Sequence, residues 1–172
     1  MSINLKTTAI GGSARLYNDL AFRVEDSVCD LLATRQIDFV DAEIVPSLTS
    51  LLLDDDYVTV VADTCNYSDG PRLMGNWDVT VTVRIATYVE NAVPAGFTDL
   101  REVHRQRVGV IADTIMQDNL HEQLSDNIDG GFTCQGYIFH QQTQGVEGHH
   151  WVTEITFVLA QCCGINTDTP EP

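Results

Sequence analysis

Residues Asn76–Tyr88 read Asn-Trp-Asp-Val-Thr-Val-Thr-Val-Arg-Ile-Ala-Thr-Tyr. At a period of two, Trp77, Val79, Val81, Val83 and Ile85 fall on one side. Asp78, Thr80, Thr82, Arg84 and Tyr88 fall on the other, with Ala86 between them. Alternating β-branched residues with no Gly or Pro inside predict a strand with one dry face. The second face carries threonines and one arginine, a surface that water tolerates and that another protein could cover.

The neighbouring residues supply partners for this strand. Tyr57–Cys65, built on Val58, Val60 and Val61, reads as a second strand. Asn66–Gly75, with Asp69-Gly70-Pro71, joins the two as an antiparallel hairpin. Pro94 and Gly96 stop the chain after Tyr88. Further on, Gly131–Thr143 and Val146–Cys162 form a last hairpin. The dry row of its final strand is Trp151, Thr153, Ile155, Phe157 and Leu159. Matching these to Phe132, Cys134, Gly136 and Ile138 pairs Ile138 with Trp151 and leaves Gln144-Gly145 as the turn.

Two helices complete the pattern. The first runs from a Ser13 cap to about Gln36, with Leu16, Leu20, Val24, Val28 and Leu31 as its dry stripe and Phe22 among the charges opposite. The second opens on Asp99 and Glu102, a capping-box spacing, and runs to about Asn119. Its dry residues are Leu100, Val103, Val110, Ile111 and Ile115. His104 and Arg107 lie in or beside that stripe, which reads as an arginine snorkelling from a core margin. The alternative groups Arg101, Arg105 and Arg107 into one basic patch. Between the first helix and the first hairpin, Asp38–Asp56 is broken by Pro46 and anchored by Ile44-Val45 and Leu51-Leu52-Leu53. It ends on Asp54-Asp55-Asp56, read as a solvated loop.

The expected architecture is α+β in the order α-β-β-α-β-β: a single domain at residues 13–163, with two antiparallel hairpins in one sheet and both helices on one face. Residues 1–12 are expected as a flexible N-terminal arm and 164–172 as a disordered C-terminal tail. A length of 172 residues suits one domain with a sizeable core. No apolar run reaches membrane-spanning length, and Met1–Gly12 has no signal-peptide pattern, which points to assembly in a cytoplasm. The formal charge of −16, with nine Lys and Arg in all, disfavours a nucleic-acid grip, which needs many cations to displace counterions.

No constellation announces chemistry. Cysteines 29, 65, 134, 162 and 163 are odd in number and lack metal spacing, so free thiols are expected. His140 and His149 face each other in the hairpin register above, but two ligands fall short of a structural zinc site. Phosphate loops and nucleophile elbows are absent from the sequence. Glu154 falls on the wet side facing Arg84 or Asp78; a carboxylate pair there could serve as general acid and base, but a cross-strand ion pair is the expectation. The expectation is therefore no catalytic residue, no cofactor and no metal.

The succession from Ala14 to Leu159 resembles the tail terminator proteins of long-tailed bacteriophages. The elements that carry the likeness are the amphipathic opening helix, the hairpin ending in Trp77–Tyr88, the Asp99–Asn119 helix and the strand His150–Phe157. That resemblance implies a virion protein of the tail or neck with no enzymatic activity. It would form a homo-oligomeric, hexameric ring that caps the tail tube, stops its polymerisation and joins it to the head-side connector. DNA would pass through an acidic bore without specific binding. The residues expected at subunit or axial contacts are Asp78, Thr80, Thr82, Arg84, Glu154 and Thr156, with Arg101, Arg105 and Arg107 as a second set. The rival readings are another neck or tail-completion protein, a soluble adaptor, or a small hydrolase using Glu154 with His140 or His149.

Overall fold

A computed structural model describes residues 12–35, 42–46, 55–68, 76–116, 120 and 136–162. The elements are α1 (Gly12–Ala33), β1 (Glu43–Pro46), β2 (Tyr57–Ser68), β3 (Asn76–Tyr88), α2 (Leu100–Ile115), β4 (Gly136–Glu147) and β5 (His150–Cys162). The arm before Gly12, the tail after Cys162 and the connection 69–75 lie outside the described residues. The five strands form one sheet in the order β1-β2-β3-β5-β4. All pairings are antiparallel except the short parallel contact of β1 with β2. The class is α+β, and β3 sits at the sheet's centre.

The alternation in β3 does what its sequence dictates. Val79, Val81, Val83 and Ile85 are fully buried, and Ile155, Phe157 and Leu159 of β5 continue the same dry row. Val24, Val28 and Leu32 of α1 pack on this row together with Val110, Ile111 and Ile115 of α2. Each such buried side chain contributes about 1.5–3 kcal/mol relative to exposure. Both helices therefore cover one face, α1 against β1 and β2, α2 against β3 and β5.

The helix limits have local causes. Asp99 is the N-cap of α2: its Oδ1 accepts the Glu102 N–H at 2.8 Å, while the Glu102 carboxylate accepts the N–H and the hydroxyl of Thr98. The helix ends at Ile115, four residues before the expected Asn119, and residues 117–119 are not described. In α1, Leu32 is fully buried and Leu31 only half-buried, so the stripe rotates slightly from the expected one. Glu25 of α1 is buried and accepts the N–H of Ala62 at 2.8 Å. The parallel partner β1 stops opposite Val60, so Glu25 satisfies a backbone donor that the edge strand no longer reaches.

Strand β1 was not legible: four residues ending in a proline are too short to show a period. The register of the last hairpin also departs from expectation. Val146, not Ile138, pairs with Trp151, and Ile138 pairs with Val158. The turn is Gly148-His149, with Gly148 at φ 56°, and Gln144-Gly145 continues the strand. A two-residue hairpin turn needs positive φ, and Gly148 supplies it. A bulge at His140, between the Phe139 and Gln141 pairs, then restores alternation. His149 lies in the turn and His140 at the bulge, so the expected facing pair does not form.

Candidate functional site

Three groups of side chains stand out on this scaffold: the outer sheet face, a polar cluster under α2, and a groove beside β4.

On the outer face, Arg84 of β3 lies directly opposite Glu154 of β5, and their side chains meet at 3.1 Å between Nη1 and Oε1. The second Nη of Arg84 pairs with Glu147 at the end of β4. Burial alone would lower the Arg84 pKa, but the hydrogen bond and charge of Glu147, with a smaller contribution from Tyr57, outweigh it and raise the value. One step along, the hydroxyls of Thr82 and Thr156 are 3.3 Å apart. Asp78 and Thr80 extend the β3 row, both half-buried. The sequence-derived contact set Asp78, Thr80, Thr82, Arg84, Glu154 and Thr156 is thus one continuous strip. Its arginine is neutralised within the chain, so the strip presents hydroxyls and an ion triad with one negative charge in excess. Glu154 serves Arg84 while His149 pairs with Glu90 at 2.9 Å, so this carboxylate and imidazole have separate partners.

Arg107 corrects the expected basic patch. It is 1% exposed rather than snorkelling, and its guanidinium meets Asp56 at 2.6 Å and donates to the Thr87 hydroxyl at 2.9 Å. Asp56 is buried as well, which overturns the solvated-loop reading for that residue. Its Oδ1 accepts the N–H of Tyr88 at 2.7 Å and the side-chain amide of Asn91 at 3.1 Å. Thr87 and Thr153 flank His104, each hydroxyl 2.9 Å from one ring nitrogen. Burial, then the charge of Arg107, hold the His104 pKa down to about 4, so the ring is neutral at neutral pH. Arg107 can only donate, so the Thr87 hydroxyl accepts from it and shares a second hydrogen bond with His104 Nδ1. The cluster is sealed by the core and ties α2 to β3, β5 and the entry of β2. Its partners are spent on one another, so its role is fastening.

Arg101 and Arg105, by contrast, are exposed. They stand on the stripe of α2 that faces β4, and with Trp151, Val146 and Gln144 they line an open groove of about 620 Å³. The Arg101 guanidinium lies 5.7 Å from the centre of the Trp151 ring. Among the described residues neither arginine has a carboxylate at ion-pair distance. The groove exists because α2 covers β3 and β5 and nothing described covers β4. Residues 142–149 are all exposed, Val146 at 68%.

No family model matches the chain, and no curated protein matches it. Among the described residues no group of three or more His, Cys, Asp or Glu could hold a metal ion, and no helix is long and apolar enough to cross a membrane.

The alternative reading grouped Arg101, Arg105 and Arg107 in one patch; Arg101 and Arg105 are exposed, whereas Arg107 turns inward. Residues 101 and 105 are one helical turn apart, whereas 107 lies well round the helix from both, on the side of Val103 and Val110. Gly109 continues the outward stripe one turn further, a signal present in the spacing. The partnership of Asp56 with Arg107 joins residues far apart in the chain and left no local trace.

Proposed function

We propose that this protein is a structural subunit of a bacteriophage virion: a tail terminator whose ring caps the tail tube, stops its growth and joins it to the head-side connector. The observation that carries the reading is the exposed edge strand. From Gln142 to Glu147, β4 runs along the rim of the sheet with exposed side chains, no covering helix among the described residues, and a single charged residue. A free, weakly charged edge is a template for pairing with another chain, and proteins that stay alone normally blunt it. The element succession is the second support, since it is the one on which the resemblance to tail terminators rests.

In this reading the strip from Asp78 to Arg84, with Glu154 and Thr156, meets a neighbouring ring or subunit. The surplus of carboxylates gives the bore a negative potential that repels phosphates and lets DNA slide. Cyclic closure saturates the lateral contacts and leaves two axial faces, one for the tube and one for the connector. The test is to add purified protein to polymerising tail-tube protein and image the products. Tubes of limited length with a ring on one end are expected. Tubes of unchanged length, with no density added at either end, would contradict the reading and favour an adaptor.

A further inference from the structure

The groove beside β4, about 620 Å³ in volume, lies where the helix layer would continue. Strands lie about 4.8 Å apart and packed helices about 8–10 Å apart. With α1 over β1 and β2 and α2 over β3 and β5, the next step of that helix layer falls over β4 and its rim. Along the wall of this slot, which no described element fills, α2 presents Arg101, Arg105 and Gly109, each four residues from the last. Residues four apart on a helix are neighbours on one face.

Gly109 is informative. A glycine inside a helix weakens it relative to alanine. Nothing among the described residues requires one here: a Cβ at Gly109 would meet no atom of theirs within 4 Å. The missing side chain widens the groove instead, as close approach by another helix demands.

On the opposite margin of the molecule, α1 carries the complementary pattern. Phe22, Asp26 and Asp30 are exposed and also four residues apart, with Phe22 exposed to 51%. Among the described residues Asp26 and Asp30 have no cation at ion-pair distance. Their charges act on the half-buried Cys29 thiol, which is pushed up to about 12 by burial first and then by Asp26, Glu25 and Asp30. On a chain of net charge −16, Arg101 and Arg105 are an attractive destination for this stripe.

We infer that α1 of one copy seats antiparallel to α2 in the groove of the next, with Asp30 against Arg101, Asp26 against Arg105 and Phe22 over Gly109. The inference rests on the ring reading and names its lateral contact. Antiparallel order follows from the groove's shape, because a parallel arrangement would carry Phe22 past the start of α2 and out of the slot. The two surfaces differ, so the contact is heterologous, the kind that propagates head to tail until rotation closes it. The occupant is a helix recognised by anchors at turn spacing.

The experiment compares full-length chains by sedimentation velocity at low salt. Wild type is expected to assemble. Arg101→Glu with Arg105→Glu, and separately Asp26→Arg with Asp30→Arg, are each expected to weaken assembly at least tenfold. Mixing the two variants is expected to restore it, since reversed α1 then meets reversed groove. Gly109→Leu fills the seat of Phe22 at a position where an added Cβ meets no described atom within 4 Å. It should lose assembly while keeping its helix content and melting temperature at or above wild type. If wild type assembles and these variants assemble equally well, the proposed contact is wrong and the ring reading stands. If wild type stays monomeric at every concentration, both fall.

Discussion

Arg107 and Asp56 show how much one buried pair decides. Neither is accessible, and each is the other's counter-charge, with Tyr88, Thr87 and Asn91 satisfying the remaining lone pairs and protons. Replacing such a pair by apolar groups can cost little, but removing one partner strands a charge in the core. Arg107→Ala is expected to destabilise the protein by about 3–5 kcal/mol in urea unfolding. The double substitution Arg107→Met with Asp56→Asn should lose distinctly less than Arg107→Ala alone. A loss below about 1 kcal/mol for Arg107→Ala would mean that the pair does not hold α2 in place. Sequence reading placed Arg107 near the dry stripe but could not see Asp56 beneath it. A long side chain at a helix margin reads the same whether it reaches water or a carboxylate brought from fifty residues away.

At the scale of elements, α2 is fastened by its cap, by Arg107 and by His104 between Thr87 and Thr153. His104 is neutral in the folded protein, with its pKa lowered from 6.5 to about 4 by burial, then Arg107, and opposed by Asp56. The unfolded chain takes up a proton near 6.5, so the stability this residue gives is complete above that pH. It is lost as the pH falls toward about 4, by at most roughly 3 kcal/mol. His104→Gln is expected to flatten the fall in stability between pH 6.5 and 4 relative to wild type in parallel urea titrations. Identical slopes would show that the ring is already charged when folded. The elements differ in legibility for physical reasons. β3 was plain because its four dry residues alternate without interruption. The β4–β5 hairpin was found but misaligned, because β4 is an edge strand whose exposed half, Gln142–Glu147, carries little apolar pattern to fix register. Only the positive φ of Gly148 locates the turn, and glycines at 145 and 148 are indistinguishable by composition.

Across the whole molecule, β4 is the rim of the described sheet, and a groove opens beside it on one margin. The other margin shows Phe22 with Asp26 and Asp30 of α1, which among the described residues have no cation at ion-pair distance. The contact strip on the outer face was readable as residues of one strand phase. Its internal neutralisation was readable only in part, as Glu154 opposite Arg84, because Glu147 arrives from the corrected turn. If the proposed contact joins these unlike margins, it should loosen as added salt screens their charges. The central claim is that the chain acts through contacts with copies of itself. Native mass measurement of the purified protein over a concentration series tests it most directly. The expected result is one closed species at an integral multiple of the protomer, six by the resemblance to tail terminators, that dissociates with added salt. A single monomeric mass across the whole series would contradict the account.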